Sequence, residues 1–203
     1  MSDKFFISIS GKSAVGKSDF SNLLAQKINA RVFAFDKISH LSLCDSEIKR
    51  QLREKFCNQI FDSSDNIDRK KLGAIVFNDN EKLSFLNNIC QIFMENYIDN
   101  AIFNTNENYI IFDYALLPKM KYFEMSNLKI LIEADEKVRF DRLIRRDNVS
   151  ESYLKARDKN LPNYDKNLFD YVFENSDLNK DNLSKQVDKI CSLIKKIQTS
   201  ITL

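Results

Sequence analysis

Glycine is scarce in this chain of 203 residues, and two of its three glycines, Gly11 and Gly16, fall within one short stretch. Histidine is scarcer still, with His40 alone, and the four cysteines, Cys44, Cys57, Cys90 and Cys191, are scattered without a CxxC pair. A structural zinc site takes about four clustered ligands, usually in close pairs. That class is excluded, and the cysteines are expected to be free, largely buried thiols. No run approaches the roughly 20 apolar residues that cross a bilayer. Met-Ser-Asp-Lys leads straight into strand-like residues, with no signal-peptide apolar stretch. A cytoplasmic protein with no membrane partner is expected. A charge excess is also missing: Lys and Arg number 31 against 29 Asp and Glu, for a net charge of +2. Nucleic acid is therefore not an expected partner.

What is present is an ordinary globular composition, 43% hydrophobic and 30% charged, in a length that suits one domain over 1–203. Apolar runs suited to buried parallel strands recur at Phe5–Ile9, Val32–Phe35, Tyr109–Phe112, Leu128–Ile132 and Tyr171–Phe173. Helical periods alternate with them. Phe20, Leu23, Leu24 and Ile28 share one face, as do Leu83, Leu86, Ile89, Cys90, Phe93, Tyr97 and Ala101, and later Leu183, Val187, Ile190, Cys191 and Ile194. The alternation predicts an α/β fold with a central parallel sheet. From about 43 to 105 the patterns are helical only, which predicts a helical insertion. A polar stretch near 145–165 suits a mobile lid.

The two clustered glycines belong to Gly11-Lys12-Ser13-Ala14-Val15-Gly16-Lys17-Ser18, which fits G-x4-G-K-[ST] between a strand and an amphipathic helix. That is the pattern of a phosphate-binding loop, or P-loop. Backbone N–H groups must converge on a phosphate there, and glycine permits both the dihedrals and the close approach. The helix that follows aims its N-terminal dipole at the same anion. Lys17 is expected to reach the β- and γ-phosphates, and the Ser18 hydroxyl to ligate Mg²⁺. Lys12 and Ser13 are variable loop positions that contribute only backbone, and Asp19 follows them into the first turn. An acidic partner is expected at a strand end. Asp113 after Tyr109–Phe112 and Asp36 after Val32–Phe35 both qualify, in a fold whose ligands gather at the carboxyl ends of strands.

Several P-loop classes fail on missing residues. No glycine has Asp three positions before it, as a GTPase switch requires, and Asn179-Lys180-Asp181-Asn182 ends in Asn where guanine reading needs Asp. The HRD, DFG and GxGxxG signatures of protein kinases are absent. A small-molecule kinase remains.

Over nearly its whole length the chain resembles the dephospho-CoA kinase family. Phe33-Ala34-Phe35-Asp36-Lys37-Ile38-Ser39-His40 fits the segment like D-A-D-x-[IV]-[AS]-[HR]. Ile67-Asp68-Arg69 through Phe77-Asn78-Asp79, then Lys82-Leu83-Ser84-Phe85-Leu86-Asn87-Asn88-Ile89, fit the motifs of the insertion. Asp113-Tyr114-Ala115-Leu116-Leu117 fits D-x-P-L-L, Arg142 to Asp147 fits the lid's R-x-x-x-R-[DN], and Phe169 to Ser176 fits the late A-D-x-V motif. Departures are Ala34 for the first aspartate, Cys90-Gln91 for His-Pro, Ala115 for proline, Lys119 for an acid, and a lid one residue short between Arg157 and Asn160.

The resemblance implies a three-layer P-loop NTPase fold with an acceptor-binding helical insertion and a lid. It implies transfer of the γ-phosphoryl of ATP, with Mg²⁺, to the ribose 3′-hydroxyl of dephospho-CoA, by a monomer. Lys17, Asp36, Asp113 and Arg142 are the implied catalytic residues. The loop, Asp19, Arg146 and Arg157 are the implied nucleotide contacts. Asp36 would accept or orient the hydroxyl proton, and Asp113 would hold metal or acceptor, with the division open. Asp68-Arg69 suits either an acceptor-phosphate contact or a helix cap, and His40 a packing or hydrogen-bonding role. Phe56, Phe61 and Phe77 are expected in the insertion's core. The other readings are a different P-loop nucleoside or nucleotide kinase, or a non-catalytic nucleotide-binding relative.

Overall fold

In the computed structural model, which describes residues 4–147, 155, 158–159, 161–176 and 180–201, the apolar runs form one five-stranded parallel sheet. Its strands are β1 (Phe5–Ser10), β2 (Ala30–Ala34), β3 (Tyr109–Asp113), β4 (Leu128–Glu133) and β5 (Tyr171–Glu174), in the order β2-β3-β1-β4-β5. Parallel neighbours need crossover connections, and their directions fix where a ligand goes. The chain leaves β1 toward β2 on one side and leaves β3 toward β4 on the other, so the connections diverge between β1 and β3. A crevice opens at such a switch point, at the carboxyl ends of the strands. Register places Ile9 beside Asp113 there.

One face of the sheet is covered by α1 (Lys17–Ile28) and by α8 (Lys180–Ile201). Phe20 and Leu24 of α1 and Val187, Ile190 and Ile194 of α8 pack on Ile7, Ile9, Ile130 and Ile132. Helix α1 has Gly16 at its N-cap with no side-chain cap, so packing holds it. Truncating the fully buried Leu24 would cost about 2–5 kcal/mol, more than the roughly 1 kcal/mol of a missing cap. Its C-cap, Asn29, takes the left-handed conformation at φ 52°, which asparagine tolerates. On the opposite face Tyr122 of α6 (Lys121–Glu124) meets Phe112 with ring centroids 4.9 Å apart.

The chain divides into two compact units, and the second is Phe35–Thr105. It holds α2 (Phe35–Ser42), α3 (Ser46–Phe56), α4 (Arg69–Val76) and α5 (Asn80–Asn104). Aspartate supplies the helix starts that glycine and serine often provide. Asp45, Asp68 and Asp79 each accept two backbone N–H bonds as N-caps of α3, α4 and α5. Ile48, Leu52, Phe56, Ile60, Phe61, Leu72, Val76, Ile89 and Cys90 form this unit's own core.

Five expectations need correction. The unit begins earlier than residue 43, by the eight residues of α2. Phe35 belongs to that helix rather than to a strand, because Phe35, Ile38 and Ser42 recur at helical spacing on a buried face. Asp36 therefore sits in a first helical turn, not at a strand end. Phe77 is 66% exposed and lies outside the core, beyond the end of α4. Cys44 and Cys57 are exposed, and only Cys90 is buried. Among the described residues, no helix is long and apolar enough to cross a membrane.

Candidate active site

Between β1 and α1 the backbone turns through three conformations unusual for L-residues. Gly11 lies at φ +142°, where a Cβ would stand 2.1 Å from the Ile132 carbonyl oxygen. Gly16 lies at φ +94° and Ala14 at +63°. A left-handed alanine costs about 1–2 kcal/mol, so something must hold it. The holders are on the outside of the loop. Arg139 Nε donates to the Ser13 carbonyl at 3.0 Å, Arg142 Nη1 to that of Ala14 at 3.1 Å, and Asn175 Nδ2 to that of Val15 at 2.8 Å. In a trans peptide the N–H points opposite to the C=O. The amides of Ala14, Val15 and Gly16 are thereby turned away from these three partners, toward the concave side. The uncapped first turn of α1 adds its own N–H groups. The arrangement is an anion nest.

Three of the expected site residues lie beside it. Lys17 Nζ reaches back to the carbonyls of Gly11 and Lys12, both at 3.0 Å, and so spans the loop. Ser18 Oγ donates to Asp113 Oδ2 at 2.9 Å. Asp113 is the last residue of β3 and is only 5% exposed, and the turn after it is pinned by Tyr114 N to Ile9 O at 3.2 Å. A hydroxyl and a carboxylate side by side are hard oxygen donors. They fit Mg²⁺, which uses one or two protein oxygens and fills the rest of its octahedron with water and phosphate. Asp19, in the first turn of α1, is exposed.

The basic residues beside the loop differ in burial. Helix α7 (Glu136–Asp147) carries Arg139, Arg142 and Arg146. Arg142 grips the Ala14 carbonyl and, through Nη2, the Asn175 carbonyl at 3.0 Å. Arg139 is 1% exposed. Its Nη2 meets both carboxylate oxygens of Asp158, at 3.1 and 2.8 Å. Arg146 is exposed at the end of the helix. Arg157 lies outside the described residues, as does much of the stretch expected to form a lid. Sequence reasoning missed Arg139, Asp158 and the role of Asn175. The signal for Arg139 was present: it shares the buried side of α7 with Phe140 and Leu143, so a charge sits where the helical period calls for an apolar residue.

In the second unit, Asp36 is two residues along the chain from Ala34, which pairs with Asp113. His40 follows Asp36 by one helical turn, and its Nε2 lies 2.8 Å from Arg69 Nη2. Partial burial and the Arg69 guanidinium hold the imidazole below its usual pKa, against the opposing charge of Asp36. A neutral His40 accepting from Arg69 follows. Asp68 accepts from the amides of Lys70 and Lys71, as a cap does, which leaves Arg69 as the acceptor-binding candidate of that pair.

A family model described as dephospho-CoA kinase matches residues 5–181. The dephospho-CoA kinase of Fusobacterium nucleatum is 32% identical over 192 residues, covering 93% of this chain and 97% of that one. Dephospho-CoA kinase from Campylobacter jejuni superposes with a TM-score of 0.61 at 22% identity, covering 96% of this chain and 97% of that one. A Thermus thermophilus crystal structure superposes with a TM-score of 0.78 at 18% identity, over 95% and 97% of the two chains. The chain belongs to the dephospho-CoA kinase family.

Proposed function

We propose that the chain transfers the γ-phosphoryl group of ATP to the ribose 3′-hydroxyl of dephospho-CoA, giving coenzyme A and ADP. The observation that carries this reading is the loop whose Ser13, Ala14 and Val15 carbonyls are held by Arg139, Arg142 and Asn175, with the Ser18–Asp113 pair beside it. Such a transfer needs positioning and charge stabilisation more than covalent help. The loop amides and Lys17 hold the phosphates in line. Ser18 and Asp113 would hold Mg²⁺, which when bound would offset phosphate charge.

The ribose oxygen forms its bond to the γ-phosphorus as the bond from that phosphorus to the ADP oxygen breaks. The hydroxyl proton leaves to a carboxylate, for which Asp36 is the candidate base. Arg69, with His40 accepting one of its N–H groups, suits the acceptor's phosphates, which gives the helical unit Phe35–Thr105 its role. Arg146 and Arg157 are the nucleotide contacts of the lid, and they exclude water as it covers the site. Arg142 bears on ATP beside the loop it braces.

A panel of acceptors with ATP and magnesium, read by ADP release, tests the assignment. Dephospho-CoA is expected to turn over well above any nucleoside or nucleoside monophosphate. Equal turnover of a nucleoside would favour a different P-loop kinase. ATP binding without turnover of any acceptor would favour a non-catalytic relative.

A further inference from the structure

A cation is buried behind the loop, where no phosphate contact has been assigned. Arg139 is among the largest fully buried side chains of the described residues. Its guanidinium works as a fork with two different loads. Nε holds the Ser13 carbonyl at 3.0 Å, and Nη2 holds Asp158 at 2.8 and 3.1 Å. Asp158 is itself largely enclosed, with 15% of its side chain exposed, and Lys12 Nζ stands 3.8 Å from the same Oδ2 that Arg139 holds. Six residues further on, Tyr164 donates its hydroxyl to the Ala115 carbonyl at 2.7 Å, two residues beyond Asp113. Asp158 is thus tied through Arg139 to the back of the phosphate loop. Tyr164 is tied to the turn that follows Asp113. Arg139 and Tyr164 line one small cavity with Gly11, Lys12, Glu133 and Glu136.

We infer that Arg139 and Asp158 are positioning residues for ATP, acting together to set the outward tilt of the Ser13 carbonyl and thereby the inward aim of the Ala14 amide. This rests on the reading of Gly11–Ser18 as the phosphate site. The chemistry requires arginine. A lysine at 139 can neutralise Asp158, but its point charge lacks the planar fork that serves two acceptors in fixed directions. Asp158 supplies the second anchor without which the guanidinium plane is free to turn.

The test uses two variants in which no buried charge is stranded. Arg139→Lys keeps the ion pair, and Arg139→Gln/Asp158→Asn removes both charges. Each is expected to melt near the wild type and to raise KM for ATP about tenfold, as for the loss of one charge-assisted hydrogen bond. The KM for dephospho-CoA, and kcat at saturating ATP, are expected to stay at wild-type values. Either variant folding normally with a wild-type KM for ATP overturns the inference and leaves the pair as structural. Lys17→Ala separates the two layers. If it also binds ATP normally, the phosphate-site reading itself fails. If it loses ATP affinity while the Arg139 variants keep theirs, only the positioning inference fails.

Discussion

Replacing Gly16 by alanine tests the loop where it is crowded against a buried side chain. The new Cβ would stand 2.4 Å from Asn175 Nδ2, far inside contact distance, and at a φ of +94°. The left-handed backbone costs an alanine about 1–2 kcal/mol. The clash adds to it, because Asn175 is 8% exposed and has little room. Its amide must leave the Val15 carbonyl that it holds at 2.8 Å. A buried carbonyl without a donor costs about 1–3 kcal/mol, so the sum is about 2–5 kcal/mol.

Where that energy appears depends on what yields. If the loop keeps its shape, the loss shows in urea unfolding. If the loop relaxes, stability survives and ATP affinity falls about 30-fold or more, at tenfold per 1.4 kcal/mol. Equilibrium unfolding and calorimetric ATP titration on the same variant read both channels. Adding Asn175→Ala to the alanine variant should then change little, because the bond it removes is already broken. Stability and ATP affinity both within about 0.5 kcal/mol of wild type would refute the geometry argued for the loop, since that is the scatter of ordinary surface substitutions.

Ser18→Ala should raise the magnesium concentration needed for half-maximal activity by about 10- to 100-fold, with partial recovery at high magnesium; an unchanged magnesium titration would remove Ser18 from the metal site. His40 gives a pH signature whose sign follows from its lowered pKa. Its contribution to stability is full above the ordinary imidazole value of about 6.5 and is lost as pH falls through the lower folded value. Melting curves from pH 8 to 5 should show this slope in the wild type and a shallower one in His40→Ala, and equal slopes would reject it. Thiol titration at pH 8 should find Cys44 and Cys57 reacting at once, because both are exposed. Cys90, whose thiol burial pushes up, should react only on unfolding, and its early modification would contradict the packing of the second unit.

The sheet was legible because buried parallel strands are written as local apolar runs. Phe5, Ile7 and Ile9, and likewise Ile130 and Ile132, announce their strands without help from the rest of the chain. Strand edges were less legible. Phe35 continues an apolar run and so reads as strand, yet the choice is made by Ile38 and Ser42, which complete a helical face with it. The same limit applies to Phe77. Its apolar character suggests a core, but α4 ends at Val76, and one residue past a helix end the buried face is no longer kept. In α5 the pattern holds through Ile89 and Cys90, with Leu83, Leu86 and Phe93 packed beside them, and slips toward the C-terminal end. Met94 and Ile98 are buried, while Tyr97 is 42% exposed, because a face wide enough for several candidates does not say which edge meets the core.

The phosphate loop illustrates a deeper division between what a sequence motif contains and what makes it work. Glycines, lysine and serine at fixed spacing are local, and Gly11, Lys17 and Ser18 stand where the pattern puts them. The inward aim of the amides is not local. It depends on donors for the outward carbonyls of Ser13, Ala14 and Val15, and those donors lie 126, 128 and 160 residues further along the chain. No spacing rule links positions so far apart. A charge is not expected on the buried side of a helix, so Arg139 reads as solvated until Asp158 is found beside it. An unpaired guanidinium at that depth would cost several kcal/mol. The ion pair therefore has to form before the loop can use Nε, and for that reason a substitution at Asp158, remote in sequence from the motif, belongs with those that change how tightly the nucleotide is held.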